Sequence, residues 1–135
     1  MEKYHSQWAG QFYVAAELTR RGYCVAFTLG NAKRTDLIVT SPKNKCFRVE
    51  VKTQQTKNFW LIGRHPVEED HFYVLVYLPK NSRPEYHILT GREIQRLRQE
   101  YCDRMTPKGN YRDNFGGFNW TTPLAHRDRW ELIPP

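Results

Sequence analysis

The segment Cys46-Phe47-Arg48-Val49-Glu50-Val51-Lys52-Thr53 alternates without a break between apolar and polar side chains from Phe47 to Lys52. A period of two is the signature of a β-strand, because successive side chains project to opposite faces of a sheet. Phe47, Val49 and Val51 define a face for the core, and Arg48, Glu50 and Lys52 define an opposite face made only of charge. Such a strand requires a sheet with a covered side. Asp36-Leu37-Ile38-Val39-Thr40 reads as its partner, and Ser41-Pro42-Lys43-Asn44-Lys45 supplies the turn that joins the two as a hairpin.

The rest of the chain is read outward from that hairpin. Residues 6–21 have helical spacing, with Ser6 as N-cap, Trp8, Phe12, Ala15, Ala16 and Leu18 as the apolar positions, and Gly22 as the stop. Tyr23–Phe27 reads as a strand, followed by a short loop containing Gly30 and Asn31. After a mixed loop from about residue 54 to 71, the run Phe72–Leu78 is nearly continuous in β-formers, as in a strand buried on both faces. Tyr86–Leu89 forms a further short strand. Thr90-Gly91-Arg92-Glu93 has the spacing of a capping box that opens a helix running to about residue 104.

The expected fold is therefore α/β, in the order α-β-β-β-β-α, with a central mixed sheet of about four or five strands flanked by helices. The 135 residues suit one domain, with the core in 6–104 and an irregular, aromatic-rich segment (105–135) laid over it. Within that segment Tyr111, Phe115, Phe118 and Trp120 are expected to act as an apolar lid.

Three cysteines, Cys24, Cys46 and Cys102, are odd in number and far apart, which suits neither a disulfide framework nor paired zinc-ligand spacing. They are expected to be small buried groups in a reducing compartment. No apolar run is long enough for a bilayer and the first residues lack signal-peptide order, so the expectation is a cytoplasmic protein with no membrane partner.

The net charge of +7 is unevenly distributed: residues 20–64 hold ten Lys/Arg against two Asp/Glu. A basic block of this kind is either the footprint of a phosphate-backbone binder or a solvating surface. The two acidic residues within it are Asp36 and Glu50. Glu50 and Lys52 share a face of one strand, and the hairpin carries Asp36 across to them. Two carboxylates about 4 Å apart repel by roughly 4 kcal/mol at an effective dielectric of about 20, so the arrangement favours a cation between them. Mg²⁺, which prefers hard oxygen ligands, fits that requirement.

A helical Glu (Glu17 in Ala15-Ala16-Glu17-Leu18, with Arg21-Gly22-Tyr23 following), then Asp36 in Arg34-Thr35-Asp36-Leu37-Ile38-Val39, then Glu50-Val51-Lys52, is an order of residues that resembles the PD-(D/E)XK nuclease superfamily. It is similar to the small archaeal Holliday-junction resolvases and to small homing and restriction-type endonucleases. The resemblance spans residues 10–53 and continues loosely beyond; Thr35 stands where the family's name-giving Pro would be. It implies a restriction-endonuclease-like sheet and a Mg²⁺-dependent endonuclease acting on DNA, with Mn²⁺ able to substitute. Asp36, Glu50, the Val51 carbonyl and Glu17 would hold the metal, Lys52 would orient the attacking water, and Gln54 would support the site. Lys33 and Arg34 before the motif, and Lys57, Trp60 and Arg64 after it, are the candidate contacts to a branched or site-specific DNA. Cutting both strands with so small a domain implies a homodimer or higher oligomer.

Each residue also has a plainer reading. Glu17 can pair with Arg21 one helical turn on, Asp36 can serve a turn, and Glu50 and Lys52 can be the wet side of an amphipathic strand. A binding module or accessory subunit that has no catalysis, acting on DNA or RNA, is the alternative function.

Overall fold

Helix α1 (Lys3–Arg20) opens the computed structural model, which describes residues 2–135. Its buried stripe is Gln11, Val14, Ala15 and Leu18, the i, i+3, i+4, i+7 spacing of a helix lying on a sheet. Full burial of a side chain such as Leu18 stabilises by about 1.5–3 kcal/mol. A Schellman motif ends the helix: Tyr23 N–H donates to the Leu18 carbonyl and Gly22 N–H to that of Thr19, both at 3.0 Å, with Gly22 at φ +92°.

The helix begins earlier than its sequence pattern indicates. Glu2 occupies the N-cap position, and the Ser6 hydroxyl donates to the Lys3 carbonyl at 3.0 Å inside the first turn. Phe12 and Ala16 are exposed rather than core-facing. Phe12 stacks at the surface between Trp8 and Phe27, with ring centroids 5.7 and 5.3 Å away.

Five strands form a mixed sheet: β1 (Cys24–Phe27), β2 (Leu37–Thr40), β3 (Cys46–Gln54), β5 (His71–Tyr77) and β6 (Glu85–Thr90), in the order β1-β2-β3-β5-β6. All neighbours are antiparallel except β3 and β5, which run parallel. The parallel pair needs a crossover, and residues 55–70 provide it without a helix. Within the crossover, β4 (Trp60–Leu61) pairs with β7 (Gly117–Phe118) of the C-terminal segment in a separate two-stranded ladder.

Both faces of the sheet are covered. On one, Val14 and Leu18 of α1 meet Leu37, Val39, Phe47, Val49, Val51, Phe72 and Val74, with Trp130 and Ile133 completing the layer. On the other, α2 (Gly91–Met105) lays Ile94 against Tyr73, Leu75 and Leu89, together with Trp60, Ile62 and Phe118. The Thr90/Glu93 capping box that opens α2 is formed in both directions, at 3.0 and 2.9 Å.

Buried Arg98 pins these parts together. Its Nε donates to the Ile62 carbonyl at 2.6 Å and its Nη2 to the Asp113 carbonyl at 2.7 Å. Of the expected lid residues, Phe118 is buried, Tyr111 and Trp120 are half-buried and Phe115 is exposed, while Trp130 and Ile133 further along also join the core. Cys24 and Cys46 are exposed, each the first residue of its strand, and Cys102 is half-buried, so the cysteines are not core groups. All three are free thiols. No helix among the described residues is long and apolar enough to cross a membrane.

Candidate active site

Strand β3 is nine residues long and β2 only four, and their pairing stops at Val49 opposite Leu37. Beyond that point the β2-facing edge of β3 has no strand to bond. Two side chains fill the role. Asp36, just before β2, accepts the Val51 N–H on Oδ2 at 2.8 Å, and Gln7 of α1 donates to the Val51 carbonyl at 2.9 Å. Gln11, one turn further along the helix, points its amide at Asp36 Oδ1 at 3.4 Å.

This notch forms part of a cleft of about 480 Å³ whose lining includes Lys3, Arg34, Asp36, Glu50, Lys52 and Gln54. The strand period brings Glu50 and Lys52 to the same side, where Lys52 Nζ lies 2.9 Å from Glu50 Oε2. The second carboxylate oxygen, Glu50 Oε1, is buried with no hydrogen-bond partner among the described residues. His71 Nε2 lies 3.9 Å from it, too far for a hydrogen bond, and is likewise buried and unpartnered.

Burial pushes the Asp36 carboxyl above the usual range; the Val51 N–H opposes that shift, the Glu50 charge adds to it, and Lys52 counters it. The Glu50 charge thus disfavours the ionised form of Asp36, which a cation in the cleft would reverse. Burial also lowers the pKa of His71, against the pull of Glu50, and so favours a neutral ring. Among the described residues, no group of three or more His, Cys, Asp or Glu side chains converges as a metal cluster. Two carboxylates remain a sufficient protein contribution for Mg²⁺, which retains waters and takes substrate phosphate oxygens as its other ligands.

The structure thus brings Asp36, Glu50, Val51, Lys52, Arg34, Gln54 and Trp60 into one cleft and leaves other expected residues out. Glu17 does not reach it. That side chain sits near the opposite end of α1, bonded to Arg20 at 3.3 Å and Arg21 at 3.2 Å, because ten residues of helix separate it from Gln7. The Val51 carbonyl, expected as a metal ligand, accepts the Gln7 amide N–H at 2.9 Å on one of its two lone pairs.

Lys33 is exposed outside the cleft lining. Arg64 is committed to Asp113 at 2.8 Å and Gln99 at 2.6 Å, away from the carboxylates. Trp60 is a buried wall residue, and Lys57 lies behind it. Gln54 ties the start of the crossover, donating to the Phe59 carbonyl at 2.8 Å and accepting from Asn58 N–H at 3.2 Å. The basic block is also less free than its sequence suggests, since Arg48 is engaged by Glu68 and Asp70.

Gln7, Gln11 and His71 are the site residues that the sequence did not single out. For the two glutamines a signal exists: Lys3, Gln7 and Gln11 recur every four residues and form one polar helix edge. For His71, a lone histidine at the head of an apolar strand, there is none. Comparisons of the chain with known family models, with curated proteins and with solved structures return no match.

Proposed function

We propose that the protein is a Mg²⁺-dependent endonuclease that hydrolyses DNA phosphodiester bonds, on a fold of the restriction-endonuclease-like kind. One observation carries the reading: Asp36, Glu50 and Lys52 line a single cleft, with Glu50 Oε1 buried and unpartnered at its wall. A carboxylate oxygen buried without a donor is costly, and a cation relieves the cost. Asp36 and Glu50 would hold the metal, with Mn²⁺ an effective substitute. The ion would supply positive charge against the negative charge that builds on the phosphate and help to activate water.

The chain's own groups do the rest. The Lys52 ammonium orients the attacking water and offsets negative charge on the scissile phosphate. Water adds to phosphorus, one ester P–O bond breaks, and the leaving oxygen takes a proton, giving a phosphomonoester and a hydroxyl. Arg34 and Lys3 at the cleft wall attract the flanking phosphates. Gln7 and Gln11 keep the Val51 backbone and Asp36 in register. A homodimer would place two such clefts on the two strands of a duplex.

The test is cleavage of linear, supercoiled and four-way-junction DNA with Mg²⁺ and Mn²⁺ by the wild type, Asp36→Ala and Lys52→Ala. Cleavage by the wild type alone supports the reading; equal cleavage by all three proteins sinks it. A binding module without catalysis is the second reading, favoured by Glu17 standing away from the cleft. It is distinguished by salt-dependent DNA binding with no cleavage under either metal.

A further inference from the structure

On the far side of Gln54 and Trp60, which line both spaces, lies a second cavity of about 340 Å³. Three aromatic side chains, Trp60, Tyr77 and Trp120, line it together with polar and charged groups that include Lys57, Glu85 and Arg127. Two polar atoms of its lining residues, Trp60 Nε1 and His87 Nε2, are buried with no hydrogen-bond partner among the described residues. Their bonding senses are fixed by chemistry. An indole N–H only donates. His87 Nδ1 lies 3.0 Å from the Leu75 carbonyl oxygen, which only accepts, so Nδ1 carries the proton and Nε2 presents a lone pair. Burial lowers the His87 pKa and keeps the ring in that neutral form.

One unused donor and one unused acceptor among aromatic walls match a flat heterocycle that offers an acceptor and an N–H on its edge. Nucleobases have such edges. Lys57 completes the match: its ammonium lies over the Trp120 ring, 4.7 Å from the centroid, and 5.9 Å from that of Tyr77, and can swing to meet a phosphate attached to an inserted base. A cationic guest such as a methylated lysine fits less well, because Glu85, the acid of the lining, is already paired with Arg127 at 3.0 Å.

We infer that this cavity takes an unstacked nucleobase of the strand whose phosphodiester lies in the carboxylate cleft, so that the preferred substrate is single-stranded or carries an extruded base. The inference rests on the reading of the neighbouring cleft as a phosphodiester site.

It is tested by fluorescence anisotropy in metal-free buffer with the full chain. The probes are a labelled eight-nucleotide DNA strand and a strand of equal length and charge made wholly of abasic residues. The wild type is expected to bind the intact strand roughly tenfold more tightly or better. Trp120→Ala and Trp60→Phe are expected to bring that ratio close to one, and Trp120→Ala, outside the carboxylate cleft, to leave affinity for the abasic strand unchanged. Trp60→Phe keeps an aromatic ring in the core while removing the N–H donor together with part of the indole, so the test survives if Trp120→Ala does not fold. Equal binding of the two strands by the wild type overturns the inference, as does an undiminished ratio in the folded variants or displacement of the strand by a trimethyllysine peptide. No cleavage step enters this measurement. Failure of every metal to support cutting therefore counts against the nuclease reading alone, and cutting with an unchanged ratio counts against the base cavity alone.

Discussion

Asp36 Oδ2 accepts the Val51 N–H at 2.8 Å, so a single carboxylate both completes the hydrogen bonding of the central strand and faces the cleft. The two roles are separable by substitution. Asp36→Asn keeps an oxygen acceptor for Val51 and removes the charge, whereas Asp36→Ala also strands a backbone donor, at about 1–3 kcal/mol. Asp36→Asn should retain most of the wild-type Tm and lose at least about a hundredfold in kcat. Thermal melts paired with plasmid-nicking rates check both. Added Mg²⁺ should raise the Tm of the wild type more than that of Asp36→Asn, since only a native-state site is stabilised by its ligand.

Glu17→Gln should leave nicking unchanged. Its carboxylate is bonded to Arg20 and Arg21 at the surface, and such helix pairs contribute about 0.2–0.5 kcal/mol. A kcat reduced by tenfold or more in this variant would return Glu17 to the catalytic set.

Gly10 lies where α1 crosses β3, and a Cβ there would fall 1.8 Å from Thr53 Oγ1 and 3.0 Å from Thr53 Cβ. The stiff, β-branched threonine has little room to rotate away. Gly10→Ala gains about 1 kcal/mol in helix propensity, but overpacking here should outweigh it and give a net loss of about 1–3 kcal/mol. Much of that loss should disappear in Gly10→Ala combined with Thr53→Ala, a coupling that urea unfolding of the four proteins in the cycle would measure.

Asp113 accepts from Arg64 at 2.8 Å, Arg98 at 3.0 Å and Tyr111 at 2.7 Å, and these bonds hold its carboxyl well below the ordinary value of 3.8. A depressed folded-state pKa means that the unfolded chain binds the proton first, so stability rises with pH across this window. The contribution is complete above about pH 3.8 and is lost as pH falls towards the folded value. Asp113→Asn should therefore unfold at lower urea than the wild type at neutral pH. The gap should close progressively in acid; a constant gap down to the lowest measurable pH would refute the linkage.

Much of the sheet was legible because its strands carry a period. The alternation through β3, the apolar run of β5 and the capping box of α2 each reflect a local physical requirement, and each element stands within a residue or two of its expected bounds. The β4–β7 ladder was not legible, because two-residue strands have no period and their pairing spans more than fifty residues of chain. Parallel pairing of β3 with β5 is likewise a tertiary choice. In the site, Glu50 and Lys52 followed from strand alternation, and Asp36 from the hairpin. Glu17 was misplaced because a helix rises about 1.5 Å per residue, and being on the right element does not bring a residue to the right end of it. Gln7 and Gln11, nearer the N-terminus, have that position.

Trp130 and Ile133 complete the layer beneath α1, and Phe118 completes the one beneath α2. During synthesis, therefore, the sheet can be assembled through β6 while both of its faces still lack part of their cover. The nascent protein should remain exposed to chaperones and proteases until residues 118–133 have cleared the ribosome, and an early stop codon after α2 should yield an aggregating product rather than a smaller folded domain.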